Sequence, residues 1–357
     1  VKKKKAAAPA PVREIPQVAR PPLWPYLVLA TLAFGVYANS LANGFVSDDN
    51  FQLLNNPLVT DWKRIPQIFS SHIWAFAGQE TTNYYRPIQM VLYMALYYLV
   101  GFDAFTFHLV MIAVHVANTL AVYRLAGFFL NERNPALVAA AVFAVHPIHT
   151  EAVVWVAVLP DVLLTLLVIC SLWLFVQQEA RPRGRQIAVH CGIFFLALLT
   201  KEPGAMLLPM LAAYEALYLR RPLLDLWKNR ALYLGLAATF AAYLGLRINA
   251  LGSLAPAQGF YFKLTPWEHV LSAAVLFGKY VRMLIWPTGL NYYHLFEKTS
   301  SLTLPAVASL LAVAMIATGI ALRRGLISCA LAWMVLPLLP VLNITGVGEN
   351  VFTERYL

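Results

Sequence analysis

Four short stretches of this 357-residue chain carry groups that could do chemistry. "FVSDDN" sets Asp48 beside Asp49, and "HPIHTE" brings together His146, His149 and Glu151. "TKEPG" couples Lys201 to Glu202, and "FTERYL" couples Glu354 to Arg355. A carboxylate pair suits proton abstraction from a hydroxyl, the work of a general base. Fixed cations, joined by Arg86 of "YYRP", suit a leaving group that gains negative charge. Histidines three apart share one helix face and could donate hydrogen bonds or, with Glu151, ligate a metal. On a regular helix Glu151 points away from that face, which counts against the metal. Each stretch has a plainer reading as well. Paired acids can be a solvated loop start, the imidazoles can be satisfied by backbone carbonyls, and Pro-Gly can simply open the next helix.

The elements that must position these groups follow from composition. The chain is 60% hydrophobic and 12% charged, about half the charge of a soluble domain. Apolar runs long enough to cross ~30 Å of hydrocarbon recur along it. They are continuous rather than alternating, which excludes a β-barrel. The expected fold is an all-α polytopic bundle with about nine spans, near 24–42, 106–128, 136–147, 160–177, 187–200, 203–219, 230–248, 304–322 and 326–343. Residues 86–101 and 267–286, the second carrying Lys279 and Arg282, read as helices lying in the interface.

Charge gives the expected orientation. With a cytoplasmic N-terminus, 17 of the 27 Lys and Arg fall in short inner segments, and 12 of the 17 acids fall outside. The positive-inside rule favours this arrangement. The net charge of +10 is therefore a topology signal and no argument for nucleic acid. Residues 1–22, rich in Lys, Ala and Pro, read as a disordered basic arm near anionic lipid, followed by a membrane domain over 23–357. In this orientation Asp48, Asp49, Arg86, His146, His149, Glu151, Asp161, Lys201, Glu202, His294, Glu354 and Arg355 all reach the outer face. Charges placed there need partners or water, so a wet cleft of mixed charge is expected on that side.

Other signals are weak or absent. Cys170, Cys191 and Cys329 fall inside apolar runs without a CxxC partner and read as packing residues. The chain holds no Walker loop, no dinucleotide fingerprint and no Gly-x-Ser-x-Gly elbow, which argues against ATP-driven pumping and serine hydrolysis.

In order, "NGFVSDDN", "YYRPI", "FAVHPIHTEAVVWV", "LLTKEPGAMLLPMLAAYE" and "FTERYL" resemble the transmembrane-and-tetratricopeptide-repeat O-mannosyltransferase family. That family lies within the GT-C superfamily of polyprenol-dependent glycosyltransferases. The resemblance covers residues 40–357. It implies transfer of a sugar, mannose in the family, from a polyprenyl phosphate to a hydroxyl of a protein or glycan acceptor outside the cytoplasm. It places the base on Asp48 or Asp49 without choosing between them. Arg86, Lys201 and Arg355 would meet the phosphate, and His146 and His149 would donate to phosphate or sugar. Glu151, Glu202 and Glu354 would orient those cations or bind sugar hydroxyls. No metal or other cofactor is called for. The interfacial helices would bound a groove for the isoprenoid tail, with Trp74, Tyr84, Tyr85, Trp267 and Trp286 at headgroup level. The family continues past this point into further spans and a repeat domain.

The chain departs from the family pattern in one place, with Leu159 and Pro160 before Asp161 where a Gly-Arg is usual. Two rival classes are weighed against the enzyme. A catalytically idle subunit would keep the fold and pack against partner membrane proteins, and the missing cation favours it. A transporter of lipid-linked substrates would prefer polar groups at mid-membrane and inverted repeats, neither of which the sequence shows.

Overall fold

The computed structural model describes residues 22–78, 82–178, 184–222, 229–254, 263–323, 325–344 and 351–357. The basic arm expected over 1–22 lies, except for Pro22, outside the described residues. The basic loops at 181–185 and 220–230 lie partly outside them. The described residues form helices and turns without a strand.

Helix α1 (Trp24–Tyr37) opens with Pro25 in its first turn, where a missing N–H costs nothing. After the first loop come the short α2 (Ile65–Ser70) and α3 (Pro87–Val100). The long α4 (Ala104–Leu130) is capped by Asp103, whose carboxylate accepts from Thr106 N at 3.0 Å. It ends at Asn131 in the left-handed conformation that Asn tolerates. Helix α4 packs against α1, α7 (Leu159–Val176) and α5 (Arg133–Val145), which places it at the centre of the first half. Helix α8 (Gly184–Thr200) lies between α7 and α10 (Arg230–Leu251), with the short α9 (Leu207–Ala213) following the "KEPG" turn. Helix α11 (Pro266–Ile285) begins with a Thr265–Glu268 capping box and packs on α12 (Leu304–Leu322), which leads to α13 (Leu326–Val335).

Five of these helices are long and apolar enough to cross a membrane, or six if one bent pair is a single span. The expectation of about nine exceeds that number, for physical reasons visible in three places. The run at 136–147 does not stop at the histidines. His146 precedes Pro147 and takes an extended conformation (ψ 124°), as a residue before proline prefers. The chain bends by 44° there and continues to Val154, through α6 (Thr150–Val154). The run at 203–219 is broken into a 3-10 turn over Glu202–Met206, α9, and a π turn over Tyr214–Tyr218. Helix α8, at 17 residues, rises only about 25 Å.

Of the two segments expected in the interface, α3 is short and ties itself to the first loop. Asn56 Nδ2 reaches Met90 Sδ, and Tyr98 donates its hydroxyl to Thr60 O at 3.1 Å. Helix α11 buries Leu271, Phe277, Tyr280 and Met283 along one side and exposes Trp267, Val270, Ile285 and Trp286. It is pinned at its start by Glu268–Lys298 (2.8 Å) and near its end by His146 Nε2 to Leu284 O (3.2 Å).

Candidate active site

The sequence-predicted charges come together through pairings that adjacent residues would not reveal. Lys201 follows α8 in an extended conformation (φ −161°, ψ 146°). Successive side chains on extended backbone point to opposite sides, so Lys201 and Glu202 face different partners. Lys201 is buried and its ammonium bonds the carboxylate of Asp161, itself buried in the first turn of α7. Glu202 instead receives Arg86 through Nε and Nη2 (3.2 and 3.1 Å) and the Tyr85 backbone N–H (3.1 Å). Arg247, at the end of α10, approaches the same carboxylate at 3.8 Å.

The turn that separates these two side chains depends on a glycine. Lys201 N donates to Ala197 O, and Gly204 N to Lys201 O, each at 3.0 Å. A Cβ on Gly204 would sit 2.7 Å from the Ala197 carbonyl carbon and oxygen. Backbone cannot yield as a flexible side chain does, so Gly204→Ala is expected to cost about 1–3 kcal/mol. It should also displace both Lys201 and Glu202 from their partners. Thermal unfolding of the variant checks this; a variant that melts like the parent would show the contact to be dispensable.

The third cation arrives from "FTERYL". Arg355 donates through Nη1 to Glu151 Oε1 (2.5 Å) and through its backbone N–H to Glu151 Oε2 (3.1 Å). Its guanidinium lies over Trp155 (5.3 Å) and Tyr356 (5.6 Å), and Lys201 Nζ lies over the same Tyr356 ring at 4.9 Å. Burial pulls the Lys201 pKa down to about 8, against the pull of Asp161 upward; the positive charges of Arg86 and Arg355 push it the same way as burial. Burial opposes the charge on Arg86 as well, but Glu202 and neighbouring groups hold its pKa above the usual arginine value. Three cations from three separate elements therefore feel one another at one end of the bundle.

The acid pair divides by environment. Asp49 is 1% exposed, and its two oxygens accept from the backbone N–H groups of Ala157 (2.6 Å) and Val46 (3.0 Å). It fastens the first loop to the turn Val156–Val158. Burial nevertheless raises its pKa to about 6. Asp48 is half-buried. Burial raises its pKa, and the nearby Arg355 charge pulls it back. Beside it Ser47 Oγ contacts Tyr292 Oη at 2.5 Å, and Tyr292 packs edge-on to Trp155 (5.0 Å). That strap is held by Glu354, whose Oε1 accepts from Asn291 N (2.7 Å) and contacts His294 Nε2 (2.8 Å).

The two histidines depart from their expected place. His146 Nδ1 accepts from Ile148 N (3.3 Å), so Nε2 carries the proton given to Leu284 O. Both ring nitrogens of His146 are thus engaged by backbone, one at the bend and one on α11. The His149 ring packs against Phe143 (4.5 Å) and His115 (5.7 Å). Glu354 likewise holds the strap, and Tyr85, expected at headgroup level, is fully buried with its hydroxyl on Phe69 O (2.8 Å). Among the described residues no group of three or more His, Cys, Asp and Glu gathers in a metal-holding arrangement. Sequence reasoning gave no role to Arg247, Trp155, Tyr292 or Tyr356. Arg247 ends an apolar run and reads as an ordinary flanking cation, whereas its Nη2 bonds Asn83 O at 2.9 Å.

The described residues form an all-helical apolar bundle with several helices long enough to cross a membrane, as in a polytopic membrane protein, and with cations and carboxylates gathered at one end. Comparison with known proteins narrows the class. The family model of dolichyl-phosphate-mannose-protein mannosyltransferases matches residues 86–245, which include Arg86, Asp161, Lys201 and Glu202. Protein O-mannosyl-transferase F38B6.6 of Caenorhabditis elegans is 30% identical over 196 residues, 52% of this chain and 27% of that protein. Protein O-mannosyl-transferase TMTC1 of Homo sapiens is 37% identical over 135 residues, 37% of this chain and 15% of that protein. Protein O-mannosyl-transferase Tmtc2 of Drosophila melanogaster is 40% identical over 134 residues, 36% of this chain and 14% of that protein. The matched stretch thus spans 27% or less of each of these relatives' own length. No solved structure matches the chain. These matches support the resemblance to the transmembrane-and-tetratricopeptide-repeat O-mannosyltransferases over the matched residues.

Proposed function

We propose that this chain is the catalytic membrane part of a glycosyltransferase. It takes a sugar, mannose by analogy with its relatives' names, from a polyprenyl-phosphate donor to a hydroxyl of a protein or glycan acceptor. The reaction occurs on the extracytoplasmic side, with the N-terminus cytoplasmic. The observation that supports the reading is the gathering of Arg86, Lys201 and Arg355, each paired with its own carboxylate, with Lys201 and Arg355 over the same Tyr356 ring.

The chemistry follows from those positions. Asp48 accepts the proton of the acceptor hydroxyl as its oxygen attacks the anomeric carbon. The bond from that carbon to the phosphate oxygen breaks with its electron pair, and the polyprenyl phosphate departs with one more negative charge. Lys201, Arg86 and Arg355 are held in advance by Asp161, Glu202 and Glu151, so little reorganisation accompanies that charge. Asp49 shapes the loop that carries Asp48.

One feature favours an idle subunit instead: Leu159 and Pro160 stand before Asp161, where the family's usual cation is missing. The full-length protein, purified with its membrane partners intact, separates the two readings. Radiolabelled mannose on a polyprenyl phosphate should appear on an acceptor peptide, and Arg355→Ala should reduce that transfer about 10²-fold or more. A parent inactive across donor sugars and acceptors would establish the idle subunit.

A further inference from the structure

Asp48 stands just before a π turn over Asn50–Leu54, whose first flanking residue is Asp49 and which is closed by Asn55 N to Asn50 O at 2.9 Å. Such wide turns recur at functional sites because they re-aim side chains. This one brings Gln52 back toward Asp48, with Nε2 at 3.5 Å from Asp48 Oδ2. The end of the Gln52 amide that faces the carboxylate is set from behind. Gln89 donates from Nε2 to Gln52 Oε1 at 2.9 Å, which leaves only the nitrogen end of Gln52 for Asp48.

The orientation of Gln89 is fixed in turn. Its nitrogen faces Ala157 O (3.1 Å) and the Tyr93 hydroxyl (2.9 Å), and Tyr93 spends its own proton on Val156 O (3.0 Å). Every neighbour of that nitrogen is an acceptor, so the reversed amide would set oxygen against oxygen. Gln89 is fully buried, and its Oε1 has no protein partner among the described residues. A buried amide with an unmet acceptor is costly, a cost that its aiming of Gln52 would account for.

We propose that Gln52 and Gln89 are positioning residues for the base. Gln52 holds the Asp48 carboxylate ionised and in one orientation, and Gln89 acts on Asp48 only through Gln52. This rests on the reading of Asp48 as the base. A hydrogen bond to the charged form favours ionisation, so its removal raises the pKa of Asp48. The acid limb of kcat/KM, which reports the free enzyme's base, must then move to higher pH.

The test is the pH profile of sugar transfer by the full-length protein and its variants. Gln52→Leu should move the acid limb upward by roughly half to one pH unit. Gln52→Glu still accepts from Gln89 but sets a second carboxylate beside Asp48, so its limb should move further in the same direction. Gln89→Leu should shift it no more than Gln52→Leu does, and the double variant should match Gln52→Leu alone. A merely structural role would lower activity with stability and leave the limb in place. If Gln52→Leu keeps the parent's limb while Asp48→Asn is inactive, the positioning role is overturned and the base stands. If Asp48→Asn retains full transfer, the reading of Asp48 as base fails, and the positioning role fails with it.

Discussion

Asp48→Asn is expected to lose roughly 10²–10⁴-fold in transfer rate while melting like the parent; Asp49→Asn is expected to reverse that pattern. The two acids are neighbours in sequence and differ in environment. Asp49 gives each oxygen to a backbone N–H, of Val46 and of Ala157. Asparagine offers one oxygen for the two donors and turns its own N–H toward the second. A buried donor left unmet costs about 1–3 kcal/mol, and the loop loses its tie to the turn at Val156–Val158. Asp48 is half-buried and, among the described residues, is met by the Gln52 amide rather than by a backbone N–H, so the amide replaces it with little effect on folding. The pH dependence follows with its sign: the base works deprotonated, so kcat/KM rises through the pKa of Asp48. Burial sets that pKa above the ordinary carboxylate value, and Arg355 limits the rise. Removing the Arg355 charge should therefore push the acid limb higher. The measurement is transfer rate per folded molecule beside the melting temperature for each variant. Full transfer by Asp48→Asn, with loss confined to Asp49→Asn, would exchange the roles assigned to the two acids.

The sequence could show which groups reach one end of the bundle because span ends are local: an apolar run stops where charge begins. It could not show who pairs with whom. Lys201 and Glu202 look like an ion pair in "TKEPG", yet extended backbone turns them apart, to Asp161 40 residues upstream and Arg86 116 residues upstream. The different surroundings of Asp48 and Asp49 were closed to sequence reasoning for the same reason, since Ala157 N, 108 residues away, bonds Asp49. His146 and His149 fit a donor site by residue type and spacing. That spacing assumes a regular helix, whereas His146 stands on extended backbone before Pro147, although the two rings still lie 6.1 Å apart. Hydropathy is blind to backbone breaks, as at the turns on either side of α9, so five or six of the expected nine spans are helices long enough to cross. The family pattern, by contrast, rests on short motifs in order, and order survives every one of these local errors.

Lys201→Met alone is expected to unfold or strongly destabilise the chain, and Lys201→Met with Asp161→Leu to restore the fold but not transfer. In the parent the ammonium and the Asp161 carboxylate are both buried and bonded to each other. Removing one partner leaves an uncompensated charge and typically costs about 3–5 kcal/mol. Replacing both with apolar side chains of similar volume removes the uncompensated charge along with the pair, and such swaps are often neutral or stabilising. The double variant therefore separates the structural use of the pair from its use in the reaction. If Lys201 also meets the donor phosphate, the refolded double variant should bind polyprenyl-phosphate sugar weakly, with KM raised about tenfold or more. The pH dependence points the same way. With burial holding the Lys201 pKa near 8, the ammonium is lost as pH rises through that value, and donor affinity in the parent should fall there. The double variant has no such group and should show a flat KM across the same range. Donor KM at pH 7 and pH 9 in parent and double variant, beside their melting curves, reads both effects. A double variant with the parent's KM and turnover would make the Lys201–Asp161 pair a fold element alone and leave the phosphate to Arg86 and Arg355.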